Sequence, residues 1–261
     1  MLRVCAPNEN SIMQAKDTFL YRILLFLLPL CLLSCSKDEN EVITEMYENL
    51  QAGDYSGVEN RHAYVDLGLS VKWAACNIGA QQKWGWGSTF EWGFTTPQAN
   101  AKTGPLPNGI EPYPNQMDGE YDADYDCRLQ EWYENFIAKI TKDNTLKSEY
   151  DAAHVQWGGK WRMLTYKEYW ELYTKCKWNY TTISNVEGYQ ITGPSGNSIF
   201  LPTSDVYIAD DETLTLGGFY WCSTTGNTDD IGGDFISFSK DYVDFDGSVP
   251  INVMNIKPVF K

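Results

Sequence analysis

The last third of this 261-residue chain most constrains its fold, because it reads as short strands separated by turns. Six apolar or β-branched segments lie there, with Asn, Asp and Gly residues between them. Such segments predict antiparallel hairpins rather than helices. They are residues 188–192, 198–201, 219–224, 234–238, 242–245 and 257–260.

Two amphipathic helices are predicted before these strands. A helix over 128–140, with Asp126 placed to cap it, is indicated by the spacing of Leu129, Trp132, Phe136 and Ile140. Thr165 and Glu168 have the spacing of a capping box, which predicts a second helix start. The face expected to be buried on that helix carries Tyr169, Leu172, Tyr173 and Cys176. The pattern favours one α+β domain, with two main helices packed on antiparallel, hairpin-rich sheets.

Residues 1–34 have the parts of a secretory signal peptide. Lys16 and Arg22 precede an apolar run over 23–33, and Ser34 is the small residue before Cys35. A run of about 11 residues is shorter than the roughly 20 that a membrane-spanning helix needs, and Pro29 interrupts it. A cleaved signal peptide is therefore favoured over a transmembrane anchor.

Cys35 and the residues after it indicate a lipid anchor. The junction resembles the bacterial lipobox, whose cysteine is acylated and becomes the new N-terminus. The polar, mostly acidic residues 36–41 resemble the export tag of Bacteroidetes-type surface lipoproteins, and they also suit a plain solvated tether. We expect an outer-membrane lipoprotein that faces the cell exterior. Its predicted parts are a signal peptide (1–34), an acidic flexible tether (35–61) and a folded domain (62–261) with an insertion at about 98–146.

The charge of the chain excludes some partners. The net formal charge is −15, and because the leader contributes +1, the remainder carries −16. Such an acidic surface repels nucleic acid, so the expected contacts are the membrane, through the lipid, and an extracellular glycan or protein. The sequence contains no HExxH, GxSxG or P-loop motif, which disfavours the common hydrolase and nucleotide-binding classes.

Four strings, taken in order, resemble one protein family. They are YVDLGLSVKWAACNIGA (64–80), WGSTFEWGFTTP (86–97), DAAHVQWGGKWRMLTYKEYWEL (151–172) and GNSIFLPTSD with GGFYWCSTT (196–225). Together they resemble the Fibrobacter succinogenes major paralogous domain, which is common in surface lipoproteins of Bacteroidetes. The resemblance spans nearly all of 62–261 and implies a C-type lectin-like fold. Leu164 and Phe94 depart from the residues usual in that family.

The resemblance also bears on the disulfide pairing of four cysteines, which the predicted secretion places in an oxidising compartment: Cys76, Cys127, Cys176 and Cys222. They allow three disulfide connectivities, and the sequence alone does not choose among them. The implied fold suggests a Cys76–Cys176 bridge from sheet to helix, and a Cys127–Cys222 bridge from the insertion to the C-terminal sheet.

Ligand-binding candidates are aromatic and acidic. Trp84, Trp86 and Trp92 lie among glycines, which lets indole rings stand clear for sugar stacking. Trp86 and Trp92 fall on family-typical positions and are expected in the core, so Trp84 is the freer ring. A long predicted loop is rich in carboxylates that suit a ligand or calcium: Asp205, Asp210, Asp211 and Glu212. A second, weaker calcium candidate consists of Asp241, Asp244 and Asp246; solvated acidic loops are the favoured interpretation of both.

These observations predict a non-catalytic surface lipoprotein that binds an extracellular glycan or another ligand, without a firm cofactor. Two alternatives stay open, a glycan-active hydrolase that uses paired carboxylates and a structural subunit of a surface assembly.

Overall fold

The computed structural model describes residues 47, 50, 51, 53–97, 114, 115, 117, 121–207, 214–227 and 232–261, without the side chains of 205–207 and 214–216. The chain divides into two compact units, Met1–Asp38 and Glu39–Lys261, and every described residue belongs to the second. The predicted signal peptide and Cys35 therefore lie outside the described residues. None of the described helices is both long and apolar enough to cross a membrane.

The second unit is a mixed α+β fold, as the sequence predicts. Its helices are α1 (Asp122–Ile140), α2 (Ala152–Trp157) and α3 (Tyr166–Lys175), with a 3-10 turn at Ser148–Tyr150. Its strands are β1 (Gly57–Glu59), β2 (His62–Val65), β3 (Lys72–Ala74), β4 (Thr89–Glu91), β5 (Thr141–Lys142), β6 (Thr145–Leu146), β7 (Lys177–Ile183), β8 (Val186–Thr192), β9 (Ser198–Pro202), β10 (Ser204–Tyr207), β11 (Leu214–Trp221), β12 (Gly233–Phe238), β13 (Val243–Ser248), β14 (Val253–Asn255) and β15 (Val259–Phe260). Each of the six segments predicted as strands overlaps an observed strand.

The strands form four sheets. One has the order β1-β2-β3-β15, a second β13-β12-β11-β14-β4 with β10 also paired to β11, a third β7-β8-β9, and the last is the β5-β6 hairpin. All of these pairs are antiparallel except β11 with β14, where Tyr220 faces Asn255. The short β14 strand is therefore held between β11 and β4, and this position places Asn255 beside the loop before β4.

Two groups of buried side chains form the core. Helix α3 buries Tyr169 and Leu172 in the group that also contains Trp73. Helix α1 buries Phe136 and Ile140 in the second group. The buried tryptophans of that group are Trp92, Trp157, Trp161 and Trp221. Many of the described aromatic side chains, these four tryptophans and Trp73 among them, are thus buried in the core.

Two predicted boundaries are wrong. The segment predicted as a tether over 35–61 contains β1, which pairs with β2, and Tyr47, which is buried in the core. The domain therefore begins before His62. Helix α1 begins at Asp122 after Tyr121, without a side-chain cap, so Asp126 lies inside the helix.

The start of α3 is confirmed. The Thr165 hydroxyl accepts a hydrogen bond from the Glu168 backbone N–H, and the Glu168 carboxylate accepts one from the Thr165 backbone N–H. This reciprocal pair satisfies two amides that a helix start otherwise leaves open. Because both partners lie within four residues, the sequence alone was enough to predict it.

Candidate functional site

The loop of residues 79–88, here called the Trp86 loop, carries the most exposed indole of the described residues. Trp86 is 55% exposed, whereas Trp92 is fully buried and its Nε1 donates to the Cys222 carbonyl at 2.8 Å. Trp84 is half-buried. The expectation for Trp92 is confirmed, but Trp86 was wrongly expected in the core, and Trp86 rather than Trp84 is the freer ring.

Two buried asparagines brace the Trp86 loop. The Nδ2 atoms of Asn77 and Asn255 both donate to the Trp86 carbonyl, at 3.0 and 2.8 Å. The Ser88 backbone N–H donates to the Ile78 carbonyl at 2.7 Å and closes the loop at its base. The backbone of Trp86 is therefore tied to the core while its indole faces solvent.

Gly87 allows this turn directly after Trp86. Its φ is +73°, a value that residues other than glycine rarely adopt. A Cβ atom at this position would lie 2.2 Å from the Ile78 carbonyl oxygen. A side chain at position 87 would therefore clash with the base of the loop. A rigid backbone that holds out a single indole is suited to binding, because little conformational freedom is lost when a ligand arrives.

Asn255 also connects the Trp86 loop to the root of the predicted acidic loop. Its Oδ1 accepts a hydrogen bond from the Ser204 hydroxyl at 3.0 Å, and Ser204 is the first residue of β10. The structure thereby brings the beginning of that segment beside the Trp86 carbonyl. The acidic side chains themselves lie outside the described part of the chain: Asp205, Asp210, Asp211 and Glu212.

The second acidic group is spread along an exposed hairpin. Asp244 and Asp246 lie on β13, and Asp241 lies in the turn before it; all three are exposed. Asp244 and Asp246 each accept a hydrogen bond from the next backbone N–H, at 2.8 Å. Within the described ranges, no three His, Cys, Asp or Glu side chains converge as a metal site.

The four described cysteines are free thiols, so the structure contains neither of the two disulfides that the resemblance implies. Cys76 and Cys222 are buried, Cys176 is half-buried and Cys127 is exposed. Burial raises the pKa of both Cys76 and Cys176 to about 11. Each of these two sulfurs is therefore held as a protonated thiol near neutral pH, which is the less reactive form.

The buried carboxylates near α3 are occupied by internal bonds. Asp151 accepts hydrogen bonds from the Met163 N–H at 2.9 Å and the His154 N–H at 3.0 Å, and burial raises its pKa. Burial alone would raise the pKa of Glu168, but the guanidinium of Arg162 outweighs this effect and lowers it. These two carboxylates therefore connect segments of the fold, and groups of the protein itself already supply their hydrogen bonds.

Sequence reasoning missed an aromatic row on α3, formed by the half-buried Tyr166 and the exposed Trp170 and Tyr173. Trp170 is 51% exposed and Tyr173 is 41% exposed, although Tyr173 was expected on the buried face with Tyr169. The spacing of four and then three residues was a readable signal, because such residues share a helix face. The apolar periodicity of the neighbouring buried face, which contains Tyr169 and Leu172, concealed this row.

Comparison with known proteins adds no relative. No protein-family model matches the chain, and neither a curated protein nor a solved structure is significantly similar to it. The geometry of the Trp86 loop is therefore the basis of the functional proposal.

Proposed function

We propose that this protein is a non-catalytic, lipid-anchored surface protein that binds an extracellular glycan through the Trp86 loop. The observation that carries the proposal is the exposed Trp86 indole on a backbone held by Asn77 and Asn255. Sugar rings present apolar C–H faces, and an indole in a fixed position offers a matching surface.

The proposed fold is C-type lectin-like. It is supported by the order of the family-like strings, by the capping box at Thr165 within one of them, and by hairpin-rich sheets around the helices. The proposed location is the outer face of the outer membrane. It is supported by the lipobox-like junction at Cys35 and by the acidic residues after it. A lipid anchor of two or more acyl chains is sufficient for stable attachment.

The test is a glycan array probed with residues 39–261, with and without EDTA, and repeated for Trp86→Ala. We expect glycan binding that Trp86→Ala weakens by about 30-fold or more, as truncation of a central tryptophan typically does. The thermal unfolding midpoint should not change, because the indole packs little. Trp170→Ala is the matched control, since it removes an almost equally exposed indole from another element and should leave binding to neutral glycans unchanged.

Three results would contradict the proposal. Equal glycan binding by the wild type and Trp86→Ala would show that the Trp86 loop does not bind the glycan. Release of sugar from a polysaccharide without stable binding would favour the hydrolase alternative. Absence of glycan binding, combined with stoichiometric co-purification of another surface protein, would favour the structural alternative. Loss of binding in EDTA alone would add calcium to the site.

A further inference from the structure

An open groove lies along α3, on an element that the Trp86 loop does not share. Its volume is about 530 Å³, within the range of small-molecule sites. The lining residues that matter here are Arg162, Lys167, Trp170, Glu171, Lys175 and Lys261.

The indole in this groove is held in place by its neighbours. The Trp170 ring lies 6.3 Å from the Tyr166 ring and 5.7 Å from the Tyr173 ring, centre to centre. Tyr166 in turn packs on Phe245 of β13 at 4.3 Å. The aromatic row is therefore attached to the sheet at one end, and Trp170 offers a positioned surface rather than a free side chain.

Both carboxylates of the groove are already neutralised. Glu168 accepts hydrogen bonds from Arg162 Nη1 at 2.8 Å and from the Thr165 N–H at 2.9 Å. Glu171 accepts one from Lys175 Nζ at 2.8 Å, and from both the backbone N–H and the hydroxyl of Ser70. Their oxygens are thus directed into the protein and its ion pairs.

The cations exceed the carboxylates. Besides Lys261, the last residue of the sequence, three basic side chains and two acidic ones line the groove, in a chain whose net charge is −15. Lys167 forms no ion pair among the described residues, and the side chain of Lys175 is largely exposed. The groove is a local positive region on an acidic protein, so an anion is favoured there.

We propose that this groove binds a carboxylated sugar, such as a uronic acid unit of an extracellular polysaccharide. The sugar ring stacks on Trp170, and its carboxylate lies against Lys167. A peptide of acidic residues alone, such as oligoglutamate, would pair with the lysine but presents no apolar ring face to the indole, which is why the sugar is the better match. The inference does not depend on the Trp86 loop, because the two sites share no residue.

The test uses the full chain in mild detergent and isothermal titration calorimetry. The probes are oligomers of galacturonate, glucuronate and mannuronate, each paired with its methyl ester, which keeps the ring and removes the charge. We expect at least one acidic oligomer to bind at least tenfold more tightly than its ester. Its affinity should fall as sodium chloride rises from 50 to 500 mM, because salt screens exposed charges.

Variants separate the two parts of the site. Trp170→Ala should weaken binding of the acidic oligomer at least tenfold, and Lys167→Gln should reduce both affinity and its salt dependence. Trp86→Ala should change neither, so failure here and failure of the Trp86 proposal give different results. The proposal is overturned if no acidic oligomer binds, if ester and acid bind equally, if Trp170→Ala has no effect, or if oligoglutamate binds as tightly as the sugar.

Discussion

Acidification acts on this domain through His62, whose ring lies at the contact between β2 and α2. The ring stacks on Trp157, with centroids 3.8 Å apart and planes 6° from parallel. The Tyr47 hydroxyl lies 2.9 Å from Nδ1, which connects the N-terminal segment to the same ring. Burial lowers the pKa of His62 to about 4, and the neighbouring charge of Arg61 acts in the same direction. His62 is therefore neutral in the folded protein at physiological pH.

The size of the effect follows from the difference between the two states. An unfolded histidine titrates near pH 6.5, so the stabilisation is fully present above that pH and is lost progressively as the pH falls toward 4. Between pH 7 and pH 5, the protonated fraction of unfolded His62 rises from about a quarter to almost one, whereas the folded ring stays largely neutral. Integration gives a loss of about 2 kcal/mol in the free energy of unfolding, or roughly 30-fold in the folding equilibrium.

The assay is urea denaturation of residues 39–261 at pH 7 and pH 5, followed by tryptophan fluorescence. We compare the wild type with His62→Asn, because the difference between them cancels the carboxylates that titrate in both, Asp151 included. The wild type should lose about 2 kcal/mol more than the variant on acidification. The matched control is His154→Asn, which leaves the Tyr47–His62–Trp157 contact intact and should keep the acid loss.

Equal acid losses in the wild type and His62→Asn would refute the reasoning, because no other site distinguishes the two proteins. If His154→Asn loses as little stability on acidification as His62→Asn does, the reasoning is refuted as well, because the acid loss then does not belong to His62 alone.

Two further predictions concern Lys257 and Cys35. Lys257 is fully buried, its Nζ donates to the Ala75 carbonyl at 3.0 Å and to the Phe200 carbonyl at 3.3 Å, and burial lowers its pKa to about 8. Because an unfolded lysine keeps its proton to about pH 10, the wild type should gain about 1.4 kcal/mol relative to Lys257→Met between pH 7 and pH 9. Parallel stability curves would contradict this. Cys35→Ala should leave the domain folded but absent from the membrane fraction, and persistent membrane attachment would contradict the lipid anchor.

Local patterns were sufficient for much of the secondary structure. The start of α3 depends on Thr165 and Glu168, which are close in sequence, and the hairpin strands after residue 178 are separated by turn residues. Strand β1 was missed because its three residues have no apolar alternation of their own. The strand forms because residues 57–59 pair with β2. The composition of the predicted tether does not indicate this pairing.

The candidate site, too, was predictable from the sequence only in part. The sequence indicated an indole-bearing, glycine-rich loop and an acidic segment far along the chain. It did not show that Asn255 would bond to both the Trp86 carbonyl and Ser204, because that meeting requires β14 to lie between β11 and β4. The aromatic row on α3 was readable from its spacing, but its exposure was not.

By itself, the sequence determined the α+β class, the capped helix, the strand-rich second half and the acidic character that disfavours nucleic acid. Only the tertiary structure decided which tryptophans are buried. Trp86 and Trp92 have similar glycine-rich surroundings in sequence, yet Trp92 follows β4 into the core while Trp86 is held outside by Asn77 and Asn255. The physical reason is that exposure is a property of what packs against a residue, and those partners come from strands up to 169 positions away.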